Sequence, residues 1–124
     1  MSYRKQLGRF AYARGVDAEV AACTALEQDG WTILARRVRT EAGEVDAVAE
    51  KEGLLAIIEV KARQTLSGAA LSLSARQRAR LLGAAAILLA ENAGWGRAGV
   101  RFDVLLVDAA GKIRRIADAF RQEE

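Results

Sequence analysis

The chain has 124 residues, with 19 basic and 16 acidic side chains, no histidine and a single cysteine, Cys23. The missing histidine removes Ser-His-Asp catalysis and histidine-ligated zinc, and a lone cysteine permits neither an intramolecular disulfide nor a cysteine-built zinc site. Any chemistry must therefore rest on carboxylates, lysine, arginine, hydroxyls or Cys23, within a length that suits one domain over residues 1–124.

The net charge of +3 and the pI near 9.4 permit nucleic-acid binding without demanding it. The arginine-rich basic set suits phosphate recognition and equally suits the codon bias of a high-GC genome. No apolar run approaches the ~20 residues of a membrane span. The basic N-terminus is followed by no apolar segment of the secretory kind, so the expected location is cytoplasmic.

Residues 1–15 read as a basic arm in which Tyr3, Phe10 and Tyr12 interleave with arginines. Such aromatics could stack on bases, and plain terminal disorder is the simpler reading. Asp17 is a candidate N-cap for a helix over 16–28, closed by Asp29-Gly30. Its Glu19, Ala22, Cys23 and Leu26 share one face. A first strand is expected over 31–38, a turn over 40–43, and two further strands over 44–51 and Leu54–Ala62, joined through Glu52-Gly53. Ser72 or Ser74 caps a second helix that runs to Glu91. A loop around Trp95 leads to a fourth strand over 100–107, and a turn over 108–111 leads to a fifth over 112–119. The order α-β-β-β-α-β-β predicts an α/β fold with a central mixed sheet flanked by helices.

The second and third strands hold the chemistry. If Glu52-Gly53 is a two-residue turn, Lys51 faces Leu54. The same register then opposes Asp46 to Glu59 and Glu44 to Lys61, with Cβ atoms about 5 Å apart. A three-residue turn with a bulge would put Asp46 and Glu59 on opposite faces. Side-by-side carboxylates repel unless a proton, a cationic side chain or a metal offsets them. Two convergent carboxylates with open positions suit Mg²⁺ or Mn²⁺. Lys61 at the rim could stabilise charge on a phosphate or orient an attacking water. The surrounding residues, from Val45 to Ala49 and from Leu54 to Val60, are otherwise apolar, as in strands buried on both faces. The alternative is a lattice of ion pairs, Glu44 with Lys61 and Asp46 with an arginine.

These residues also carry a resemblance. Gly43-Glu44-Val45-Asp46, then Ile58-Glu59-Val60-Lys61-Ala62-Arg63, then Arg101-Phe102-Asp103-Val104 and a closing Ala119-Phe120 resemble, in order, four motifs of the YraN-like family of uncharacterised bacterial proteins. That family looks like part of the restriction-endonuclease-like, PD-(D/E)xK nuclease superfamily. The resemblance implies that fold and a metal-dependent nuclease. Asp46, Glu59 and the Val60 carbonyl would be metal ligands and Lys61 the catalytic lysine. Glu19 falls where the related archaeal Holliday-junction resolvases carry a helical glutamate that completes the metal site; a first-turn glutamate favoured by the helix dipole is the competing reading. Arg76 and Arg115 stand where family members usually have a lysine and a histidine.

Gln77 shares a helical face with Leu81, Ala84 and Leu88. It would point inward, as the second-helix glutamine of several related nucleases does, or cap its helix in solvent. Arg76 and Arg80, one turn apart, could grip a phosphate or form a solvated face. Arg36, Arg37, Arg39 and Arg63 cluster near strand ends, suited to nucleic-acid backbone contacts. Cys23, Trp31 and Trp95 read as packing residues. Asp103, inside an apolar strand, reads as structural, paired with Arg101 or a helix arginine. The expected activity is Mg²⁺- or Mn²⁺-dependent hydrolysis of nucleic acid, DNA ahead of RNA, with a homodimer natural for two cuts in a duplex. The alternatives are a non-catalytic nucleic-acid-binding module and a subunit of a repair complex.

Overall fold

The computed structural model describes residues 17–66 and 73–120; the basic arm and the Ser72 cap lie outside them. Helix α1 spans Ala18–Gln28. It starts where expected because the Asp17 carboxylate accepts the backbone N–H groups of Glu19 and Val20, at 3.1 and 3.4 Å, which would otherwise lack partners. It stops at Gly30, whose φ of 90° lets the N–H groups of Gly30 and Trp31 turn back to the carbonyls of Glu27 and Leu26.

Strands β1 (Thr32–Thr40), β2 (Gly43–Lys51) and β3 (Leu54–Ala62) follow as two consecutive hairpins. The β2–β3 turn is the two-residue kind: Glu52 and Gly53 both have positive φ, 53° and 82°, the turn whose twist matches the strands. The observed register, from Lys51 opposite Leu54 to Ala47 opposite Ile58, is the expected one. Helix α2 (Ala75–Glu91) then crosses over, so that β4 (Gly99–Val107) lies parallel to β3; β5 (Ile113–Phe120) returns antiparallel to β4. The sheet is mixed, in the order β1-β2-β3-β4-β5. Among the described residues two helices flank five strands in the expected order α-β-β-β-α-β-β.

Each helix covers one face. Ala22, Cys23 and Leu26 of α1 pack with Ala47, Ala49, Ala56, Ile58, Leu105 and Val107. Leu81, Ala84, Ala85 and Leu88 of α2 pack with Val45, Val48, Leu55, Ile57 and Phe102. Strands β2 and β3 are thus buried on both sides, as their apolar runs predict. Burial pushes the Cys23 thiol up, which makes it an inert core group. Trp31 is buried, and Trp95 packs against the α2 cluster. Among the described residues no helix is long and apolar enough to cross a membrane.

Asp103 is buried, as a structural residue should be. Arg101, and Arg115 of β5, hold its carboxylate.

Candidate metal centre

The β2–β3 ladder runs as far as Ala47 and Ile58. One step further, where Asp46 and Glu59 would face each other, the backbone pattern gives way. The Asp46 carboxylate accepts the Val60 N–H at 2.7 Å. The disturbance reaches β1 as well. Pairing there skips from Arg36–Ala47 to Val38–Val45, and the intervening Arg37 takes a φ of 50°. Val45 and Val48, three residues apart, both bury against α2, whereas Ala47 and Ala49 face α1. The two-residue alternation of β2 therefore breaks around Asp46. A local sheet irregularity of this kind commonly re-aims a side chain next to a functional site.

Glu59 is buried, at 7% exposure, whereas Asp46 keeps partial contact with solvent. The Glu59 carboxyl is pushed up to about 7 from 4.5, by burial first and then by the hydrogen bond and negative charge of Asp46. The charges of Arg80 and Lys61 oppose the shift without cancelling it. Folding thus takes up a proton at Glu59 between pH 4.5 and about 7. The native state then binds more protons than the unfolded chain, so stability falls as pH rises. The metal-free protein should be most stable below pH 4.5, as far as Glu59 decides, and lose roughly 3 kcal/mol as the pH passes through about 7. Urea melts at pH 5 and pH 8 check this; Glu59→Gln should flatten the difference.

The sequence profile of uncharacterised protein family UPF0102 matches residues 18–107, the stretch that contains the whole carboxylate site. The chain belongs to this family. It is 59% identical over 110 residues to the UPF0102 protein of Granulibacter bethesdensis, covering 89% of this chain and 70% of that one. It is 45% identical over 116 residues to the UPF0102 protein of Acidiphilium cryptum (94% and 90% covered). To that of Azorhizobium caulinodans it is 43% identical over 113 residues (91% and 86% covered). The family indicated by the four motifs is therefore the right one.

In this UPF0102 chain the other candidate residues divide sharply. Lys61, half-buried, lies two residues past Glu59 on β3, and its charge acts on the Glu59 carboxyl. Glu19 spends its carboxylate on Arg37, at 2.7–2.8 Å. Among the described residues, no three Asp, Glu, Cys or His side chains converge on one point, so Glu19 is not brought together with Asp46 and Glu59. Gln77 belongs to a capping box: its side-chain oxygen accepts the Ser74 N–H at 2.9 Å, and the Ser74 hydroxyl accepts the Gln77 N–H at 3.1 Å. The structure thus gives Gln77 its capping role. Glu44 pairs with Arg39 at 3.5 Å rather than with Lys61. Arg36 and Arg76 are exposed, and Arg63, also exposed, bonds the Ala62 carbonyl. Arg37 and Arg39 are exposed as well, despite their ion pairs.

Arg80 is the exception. It leaves the solvated face and donates through Nη2 to Glu59 Oε2. Its path depends on two glycines. A Cβ at Gly43 would collide with Arg80 Cγ and Cδ, and a Cβ at Gly83 would lie 2.8 Å from that of Ala42. The sequence signal for this placement was periodic: Arg80 stands four and eight residues before Ala84 and Leu88, both buried.

Two adjacent carboxyl groups, crowded enough for one to retain a proton, form an oxygen donor set. Mg²⁺ sites commonly use one or two carboxylates and complete their shell with water and substrate phosphate. The two carboxyl groups therefore fit Mg²⁺ or Mn²⁺.

Proposed function

We propose that this protein is a divalent-metal-dependent nuclease of the restriction-endonuclease-like kind, hydrolysing phosphodiesters of DNA ahead of RNA. The observation that carries the reading is the break in the β2–β3 ladder, which gathers the Asp46 and Glu59 carboxyls with Lys61 two residues beyond. Asp46 and Glu59 would hold Mg²⁺ or Mn²⁺ as ionised carboxylates, together with the Val60 carbonyl. When bound, such an ion supplies charge neutralisation at a phosphoryl oxygen.

The chain's own groups do the rest. The bond between Asp46 and the Val60 amide fixes where that carboxylate points. The Lys61 ammonium orients an in-line water or offsets charge building on the phosphate. Arg36, Arg39, Arg63 and Arg76 supply exposed cations for the nucleic-acid backbone. Glu19 enters this scheme through Arg37, which it holds, and Gln77 through the helix that carries Arg80. A cytoplasmic location, a homodimer and a repair-protein partner belong to the same reading.

The deciding experiment incubates pure protein with Mg²⁺ or Mn²⁺ and linear duplex, single-stranded, flap and four-way-junction DNA, with Asp46→Asn in parallel. Cleavage of at least one substrate by the wild type and by none in the variant is expected. Equal cleavage by both would exclude the mechanism. No cleavage by either, with salt-sensitive DNA binding that survives Asp46→Asn, would favour a non-catalytic binding module.

A further inference from the structure

Arg80 reads in sequence as a phosphate grip or part of a solvated face, yet its guanidinium lies on Glu59, inside the carboxylate site. Three observations make this more than a stray ion pair. Glu59 is buried with Asp46 beside it, so the guanidinium sits at the oxygen pair itself rather than at the surface. The Arg80 stem crosses β2 at Gly43, where any side chain would block it, and α2 closes on Ala42 through Gly83. The seat is also imperfect: Arg80 Nε is buried without a hydrogen-bond partner, and an unmade buried bond is unfavourable. The guanidinium is therefore held by charge rather than by a complete set of hydrogen bonds.

We propose that Arg80 is a resident cation that holds Glu59 in place of a divalent ion and must leave the carboxylate for that ion to bind. Two cations on one poorly screened carboxylate repel each other, so the two occupancies exclude each other. This inference rests on the metal-site reading above and adds its regulation. The protein keeps the Asp46–Glu59 pair compact when metal is scarce and sets the concentration at which metal enters. Arg80 is thus a positioning residue and a competitor, not a ligand.

The test is a calorimetric titration with MnCl₂ alone, at pH 8, on the wild type, Arg80→Met and Arg80→Gln, with folding checked by circular dichroism. Removing the competitor should tighten Mn²⁺ binding at least about tenfold, within the usual range for coupled sites. Should Arg80→Met not fold, Arg80→Gln, which retains hydrogen-bonding capacity without charge, is read instead. Equal or weaker Mn²⁺ binding in the folded variants, with the wild type binding, overturns the proposal and leaves the nuclease reading standing. No Mn²⁺ binding by any of the three overturns both. Tighter binding in the variants, with no cleavage of any DNA by the wild type, upholds Arg80 as the competitor and removes the nuclease.

Discussion

Lys61→Ala is expected to bind Mn²⁺ as the wild type does and to lose roughly 10²–10³-fold in turnover, the usual effect of deleting one preorganised charge at a reacting phosphate or carbonyl. Glu59→Gln should lose both properties. The two variants separate because the side chains do different work only two residues apart. Glu59 is buried beside Asp46 and offers oxygen. Lys61 is half-buried on the same strand and offers a positive charge that no oxygen donor set requires. Mn²⁺ calorimetry measures the first property and single-turnover cleavage the second. If Lys61→Ala cleaves at the wild-type rate, the lysine has no part in the chemistry. If it fails to bind Mn²⁺, its role is to keep the carboxylates in place.

Asp103→Asn is expected to cause the largest loss of stability, about 3–5 kcal/mol, because it leaves two guanidinium groups facing a neutral amide in a buried site. Asp103 is 1% exposed. Its Oδ2 accepts Arg101 Nη2 at 3.0 Å, and Arg115 Nε and Nη2 at 3.0 and 2.5 Å. Both guanidiniums also lie over the Trp31 ring, 5.1 and 4.9 Å from its centre, a cation–π arrangement that further fixes them. For a domain of this size the loss corresponds to a fall in Tm of roughly 10–20 °C, read by differential scanning calorimetry. Replacing Asp103, Arg101 and Arg115 together by Leu, Met and Met should recover most of it, since the carboxylate and the two guanidiniums it holds are then removed together. A small effect of Asp103→Asn alone would mean that the arginines find solvent at little cost.

Most of the fold was legible because its signals are local. Glu52-Gly53 marked a hairpin turn, and of its two readings the two-residue form is the one that sets the register of β2 on β3. Asp17 and Ser74 marked helix starts, and the unbroken apolar runs of β2 and β3 showed that both sheet faces are covered. The adjacency of Asp46 and Glu59 followed from the register. Their actual geometry did not, because it depends on a side chain taking the amide of Val60 from the ladder, a choice with no signature in strand periodicity. β1 ran on to Thr40, past the expected end, because Arg39 and Thr40 still pair with Glu44 and Gly43 across the turn. The pairing of Glu19 with Arg37, of Arg80 with Glu59 and of Arg115 with Asp103 joins residues 12 to 21 apart. Such pairings are set by how closely elements approach, and the glycines that set the approach of α2, Gly43 and Gly83, read in sequence only as a turn residue and a weak point in a helix.

The strand order carries a consequence in time. Three of the four strand neighbours are joined by short hairpins, and only β3 and β4 need the crossover through α2. Loop-closure entropy is therefore concentrated in a single step. On that ground the β2–β3 hairpin, closed by two residues, brings Asp46 and Glu59 together while the chain is still assembling. Arg80 comes later, with the helix that must swing across the sheet. In the interval the two acids meet without the guanidinium that later sits on Glu59.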